Sequence, residues 1–257
     1  VTEVVDDLAL ALLLADAADR VTIARFQAVD LRVSTKPDAT PVTDADTAVE
    51  HQVRALLSQH RPADSVLGEE EGGALDGRTW VIDPIDGTKN FLRGVPVWAT
   101  LIGLVEGDSV SVGVVSAPAL ARRWWAGTGQ GSWTSFTNTA PRPCRVSKVA
   151  AIADAFVSHA SLGGWDRSPY TLDTILSAAW RARGFGDFWS YMLVAEGACD
   201  IAAEPELALH DMAALVPIVT EAGGRFTDLD GRPGPFGGNA LASNALLHDE
   251  VRQRLSG

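Results

Sequence analysis

Apolar residues recur at helical spacing over residues ~3–27 and again over 44–60 ("DADTAVEHQVRALLSQH"), where an Asp-rich start marks a helix N-terminus. Two short apolar runs then end in acid, "SVLGEE" from Ser65 and "TWVID" from Thr79, and both read as strands. The alternation in "VWATLIGLVEGDSVSVGVVSAP" predicts a hairpin turning at Gly107–Asp108, and "RRWWAGTGQGSW" predicts a second. Beyond Pro143 the texture changes. A strand at ~155–158 precedes a helix at ~170–180, and a strand at ~181–186 leads into "DFWSYMLVAEGA" as helix. "ACDIAAE" reads as a strand, ~211–222 as a helix closed by Gly223–Gly224, and ~246–255 as the last helix. Pro217 falls inside one of these helices and should cost it a hydrogen bond and a kink. Long antiparallel runs followed by alternating units predict a layered α+β fold, with helices packed on two sheets.

At 257 residues, 46% hydrophobic and 21% charged, the chain has ordinary globular composition. We expect one domain over 1–257, with intimately packed halves of about 1–143 and 144–257. A net charge of −12 with no basic run argues against nucleic acid as a partner. No window reaches 18 uninterrupted apolar residues, so no membrane span is expected. "LALALLLADAA" looks faintly like a signal segment, but acidic residues precede and interrupt it. Cys144 and Cys199 have no metal or redox spacing and suggest a reduced, cytoplasmic protein.

The chemistry gathers in "TWVIDPIDGTKNFLRG". A strand aimed at the core runs into Asp83 and Asp86. Pro84 has a fixed φ and no N–H, so the chain is expected to leave the strand at Asp83 and carry Asp86 on the following turn. Gly87 permits a backbone shape that a side chain would block, and Thr88 opens a short helix whose free N–H groups can hold an anion. An Asx-type turn with solvated acids is the plain alternative. A hard cation such as Mg²⁺, bound by carboxylates together with a substrate phosphate, explains why a core strand ends in paired acids. Further acids stand at Glu69, Glu70 and Glu71 in "LGEEEGG", at Asp211, and at Asp44 and Asp46. Taken singly, these are a solvated run and helix caps. "GTGQGS" at 127–132 mimics a nucleotide loop but lacks a following helix, so it reads as a hairpin turn.

Jointly the pieces resemble a known family. Asp46, Glu69–Glu70, Asp83-Pro84-Ile85-Asp86-Gly87-Thr88 and Asp211 ahead of Gly223–Gly224 are similar to the inositol monophosphatase-like superfamily of Mg²⁺-dependent phosphatases, over nearly the whole chain. The resemblance implies a layered αβαβα sandwich, a homodimer and two or three Mg²⁺ per site. It places Glu69, Asp83 and the Ile85 carbonyl at one metal, and Asp83, Asp86 and Asp211 at a second. Glu70 would assist at the rim, Glu69, Asp46 and Thr88 would serve catalysis, the last two by orienting the attacking water, and Gly87 and Thr88 N–H groups would hold phosphate oxygens. One departure is His210, where the family usually has Trp; a substituted packing residue is the expectation.

"DGTKNFLRGVPVWATLIGL" and the run holding Gly186-Asp187-Phe188 and Glu204 look like the histidinol-phosphate phosphatase branch. Histidinol phosphate carries a cationic amine, so Asp187 and Glu204 at the pocket rim make electrostatic sense as substrate contacts. An inositol-1-monophosphatase or related sugar-phosphate phosphatase is the alternative. A non-catalytic metal- or anion-binding regulator is a third reading, disfavoured by the intact Asp46 and Thr88.

Overall fold

The structure, a computed structural model, describes residues 6–256 apart from residue 38. In chain order it runs α1 (Asp7–Arg25), β1 (Val33–Thr35), β2 (Pro41–Thr43), α2 (Asp44–His60), β3 (Ser65–Gly68), β4 (Arg78–Asp86), α3 (Thr88–Arg93), β5 (Ala99–Glu106), β6 (Ser109–Ala117), β7 (Arg122–Gly127), β8 (Ser132–Phe136) and β9 (Arg142–Pro143). It continues with β10 (Phe156–His159), α4 (Asp173–Ala178), β11 (Arg181–Arg183), α5 (Asp187–Ala195), β12 (Ile201–Glu204), α6 (Leu209–Met212), α7 (Leu215–Glu221), β13 (Arg225–Thr227), β14 (Ala240–Ser243) and α8 (His248–Leu255).

Strands β3 to β9 form a seven-stranded sheet in sequence order, antiparallel except for the β3–β4 pair. The second sheet has five strands in the order β11-β10-β12-β14-β13. Helices α1 and α2 cover the outer face of the large sheet, where Leu10, Leu14, Val49 and Val53 bury Trp80 and Ile82. Helices α5 and α7 fill the space between the sheets around Trp124, Tyr191 and Ile218, and α4 and α8 cover the far side around Ile175 and Val251. This is the αβαβα order. Among the described residues, no helix is long and apolar enough to cross a membrane.

The two expected hairpins form as read, and Glu221 accepts hydrogen bonds from Gly129 and Gly131 N–H in the glycine-rich turn. Cys144 and Cys199 are free and buried. The first helix is described from Asp7; the expected residues 3–5 lie outside the described residues. Pro217 changes the expected ~211–222 helix. Residue 217 cannot donate to the Ala213 carbonyl, and the segment divides into α6 and α7 with Pro217 in the first turn of the second piece.

Candidate metal and phosphate site

Strand β4 sets the site by its period of two. Trp80 and Ile82 face α1 and α2, so Val81 and Asp83 face the opposite side, toward α6. Pro84 does not end the strand, contrary to expectation. Pairing with β5 continues to Asp86, with an extra residue inserted between Asp83↔Leu101 and Asp86↔Ala99. This bulge absorbs the proline's missing donor, and the Thr100 hydroxyl satisfies the Pro84 carbonyl at 2.8 Å. The Asx turn is also present: Ile85 N–H donates to Asp83 Oδ1 at 3.0 Å. Gly87 has φ +84°, and a Cβ there would lie 3.1 Å from the Val97 carbonyl oxygen and 3.4 Å from Asp187 Oδ2, so the turn into α3 demands glycine.

Glu69 and Glu70 stand on the loop after β3, and that loop is held by a residue that carries no motif. Buried Glu50 of α2 accepts from Glu70 N–H at 2.8 Å and Glu71 N–H at 3.1 Å, and pairs with Arg54 at 2.7 Å. Its only signal in the sequence is the i,i+4 spacing to Arg54. Lys36, just past β1, places its ammonium 2.7 Å from Glu69 Oε1 and 2.7 Å from Glu70 Oε1.

Asp211 reaches the site because the sheet is smooth beneath it. A Cβ on Gly103 would come within 2.9 Å of Ala213, and one on Gly113 within 2.2 Å of the Ala214 carbonyl oxygen. Two paired glycines on adjacent strands therefore let the α6–α7 corner settle onto the sheet beside Val81. Asp211 takes the Ala208 N–H at 2.7 Å, completing the N-terminal turn of α6 as its third residue rather than its cap. His210 does not simply fill an apolar slot: its side chain is 24% exposed and its ring faces acids.

Asp187 opens α5 with φ +49° but does not cap it. The cap comes from Asp86, whose Oδ2 accepts the Phe188 N–H at 2.6 Å. Asp187 Oδ2 instead accepts from Asn90 at 3.1 Å. Asp86, Asp187, Tyr191, Glu204 and Asp211 line a cavity of about 210 Å³. Asp187 also borders a second cavity of about 190 Å³, with Glu69, Gly87, Thr88 and Lys89. The Tyr191 hydroxyl and Glu204, both shielded from solvent, face each other, and their contact falls short of good hydrogen-bond geometry; among the described residues neither the hydroxyl nor Glu204 Oε1 has another partner. A larger cleft of about 440 Å³ between α1 and β6–β8 lies elsewhere, and its Asp16 and Asp19 are already paired with Arg123.

Burial dominates the electrostatics. It pushes Asp83 well above the usual carboxylate range, helped by Glu69, Asp86 and Asp211, and does the same to Asp86, helped by Asp187 and Asp211. Asp187 and Asp211 are raised by burial too, and Glu204 is pushed up to about 8 by burial and then Asp187. Asp46 rises to about 6 through burial, against hydrogen bonds from Thr43. Its Oδ2 completes a capping box with Thr43, and its buried Oδ1 has no partner among the described residues. Thr88 donates to the Ile85 carbonyl at 3.0 Å rather than to Asp46, so the two expected water-orienting groups are not bonded to each other.

The donors fit a divalent cation. One oxygen from each of Asp83, Asp86 and Asp211 lies within 4.8 Å of the others, and ligand atoms of Glu69, Asp83 and His210 do likewise. Buried carboxylates raised by mutual repulsion are a charge arrangement that a hard cation relieves.

A layered αβαβα sandwich with a buried carboxylate cluster beside a glycine turn is the architecture of a metal-dependent phosphatase. The chain belongs to the inositol monophosphatase family, which it matches over residues 3–255. It is 58% identical over 256 residues to a histidinol-phosphatase of Mycobacterium tuberculosis, covering 98% of each chain. It is also 58% identical over 254 residues to a histidinol-phosphatase of Streptomyces coelicolor, covering 96% of this chain and 95% of the relative. The solved structure of a Thermotoga maritima IMPase matches with a TM-score of 0.86 at 29% identity, over 98% of this chain and 97% of that one.

Proposed function

We propose that this chain hydrolyses histidinol phosphate to histidinol and phosphate. The observation that carries the reading is the acidic cavity lined by Asp187 and Glu204 beside the carboxylate cluster. A leaving group bearing N–H donors and positive charge complements the carboxylates of that lining. The kinship with two histidinol-phosphatases supports the same choice.

In this reading Glu69, Asp83, the Ile85 carbonyl, Asp86 and Asp211 hold Mg²⁺, two or three ions per site. Bound there, the cations supply charge neutralisation, an activated water and stabilisation of the leaving oxygen. The protein's own groups do the rest. Gly87 and Thr88 N–H groups at the start of α3 bind phosphate oxygens, and the unpartnered Asp46 Oδ1, together with Thr88, positions the attacking water. Asp187 and Glu204 hold the amino end of the substrate. We also read the chain as one domain acting as a cytoplasmic homodimer on small molecules; its net charge of −12 disfavours nucleic acid and anionic membrane surfaces.

The test is a kinetic panel over histidinol phosphate, inositol phosphate, fructose bisphosphate and adenosine 3′,5′-bisphosphate. Histidinol phosphate should lead in kcat/KM. Equal efficiency on inositol phosphate would sink the substrate assignment and leave a general sugar-phosphate phosphatase.

A further inference from the structure

We propose that His210 supplies a nitrogen ligand to the cation held by Glu69 and Asp83, so that this site binds a borderline divalent ion such as Mn²⁺ more tightly than Mg²⁺. The proposal rests on the reading of these carboxylates as metal ligands. A ring nitrogen of His210 and one oxygen each of Glu69 and Asp83 lie within 4.8 Å of one another. Three donors about 2.1 Å from one ion lie about 3.0–3.6 Å apart, so loading draws the ring and the two carboxylates together by about an ångström. Among the described residues the His210 ring has no hydrogen-bond partner; the carboxylate it approaches within 4.0 Å is Asp211, whose Oδ1 lies 3.7 Å from Nε2, beyond hydrogen-bond reach. An imidazole committed to packing would be expected to turn away from carboxylates or to bond one. This one is aimed at them and bonds none.

The second cluster, Asp83, Asp86 and Asp211, offers oxygen alone. The two halves of the site therefore differ in kind, although Asp83 belongs to both. Mg²⁺ favours oxygen donors and gives up its waters reluctantly, whereas imidazole suits the later divalent ions. One nitrogen in one cluster should separate the two sites by metal preference, with the all-oxygen site remaining suited to Mg²⁺.

The experiment loads the full chain with Mn²⁺ alone and records its electron spin-echo modulation, alongside calorimetric titrations with Mn²⁺ and Mg²⁺. The parent should show ¹⁴N modulation from a directly bound imidazole, replaced by a ¹⁵N pattern when the protein carries ¹⁵N-histidine. His210→Phe should lose the modulation and bind Mn²⁺ at the tighter site about tenfold more weakly, with Mg²⁺ affinity changed much less. His210→Gln gives the same comparison should the Phe variant fold poorly. Mn²⁺ bound to the parent without nitrogen modulation, or modulation that survives in the variants, overturns the proposal while leaving the carboxylate site standing. Asp83→Asn distinguishes the two: if it binds both ions as the parent does, the carboxylate reading falls and His210 falls with it.

Discussion

The ammonium of Lys36 lies 2.7 Å from Glu69 Oε1, in contact with a carboxylate that we propose also holds a metal. The same nitrogen reaches Glu70, and these neighbours raise the Lys36 pKa despite the opposing cost of burial, so the charge is firmly held. Lys36 and a divalent ion then compete for one anionic oxygen. Because Lys36 follows β1 in a two-stranded hairpin outside the main sheets, the competition couples metal loading to that hairpin. Lys36→Met should tighten Mg²⁺ binding about fivefold, corresponding to about 1 kcal/mol for one removed charge contact. It should also lower the melting temperature of the chelated protein. Calorimetry without substrate measures the first effect, and unchanged or weaker Mg²⁺ binding would show that Lys36 does not compete.

Asp83 faces both clusters, so its loss should affect chemistry and stability in opposite directions. Asp83→Asn should lower turnover by about 10³-fold, the scale set by removal of a principal electrostatic stabiliser. The chelated variant should be at least as stable as the chelated parent, because burial and three acidic neighbours disfavour the native carboxylate. Thermal melts in EDTA and assays in Mg²⁺ separate the two effects. Normal turnover would reduce Asp83 to a turn residue.

Much of this site was legible because its signals are local. The acids of the "DPIDGT" run and the glycine that follows them share one turn, so a short stretch displays the conflict between a core strand and paired charge. The bulge that keeps Asp86 in the strand was not legible, since it depends on what β5 offers opposite Pro84. Lys36 and Glu50 escaped notice for a related reason: their partners lie 33 and 20 residues away, and neither residue carries a motif. Strands β1, β2, β13 and β14 are three or four residues long and acquire meaning only beside a partner. Gly103 and Gly113 look like weak points in a strand until the α6–α7 corner is seen resting on them.

The metal-free protein should lose stability between about pH 6.5 and 8. Glu204 has a folded pKa of about 8 against a reference of 4.5, so stability is fully present below 4.5 and is lost as pH rises through 8. Buried His248 acts in the other direction. Burial, with the Arg225 charge nearby, pushes it down to about 4 from 6.5, so its contribution is lost as pH falls from 6.5 toward 4. These two slopes oppose each other below 6.5, where the raised Asp83, Asp86 and Asp46 add to the loss with rising pH, and Glu204 continues that loss above 6.5. Denaturant titrations in EDTA should show a decline of up to about 1.4 kcal/mol per pH unit per proton. Glu204→Gln should flatten that limb by about one proton; an unaltered limb would mean that Glu204 ionises normally.

Asp187→Asn offers a clean measurement of what charge in the proposed leaving-group cavity contributes. The helix it begins is capped by Asp86, so the substitution removes no cap. Its φ of +49° is a conformation that asparagine tolerates, and the asparagine oxygen can still accept the hydrogen bond from Asn90. What disappears is a negative charge facing the cavity beside Glu204 and Asp211. A partly desolvated contact between ammonium and carboxylate is worth about 1.5–3 kcal/mol, or about one to two decades in rate constant. On that scale, kcat/KM for histidinol phosphate should fall about 10- to 100-fold in the variant. p-Nitrophenyl phosphate has no cationic group to lose a partner, so its hydrolysis should change little, and the melting temperature should hold or rise as repulsion within the acidic cluster is relieved. Above about pH 8, where Glu204 is ionised, Glu204→Gln should give the same selectivity for the aminated substrate. A parallel loss on both esters with a lowered melting temperature would assign Asp187 to structure, because removing a charge from the leaving-group cavity cannot harm a substrate that carries no charge there.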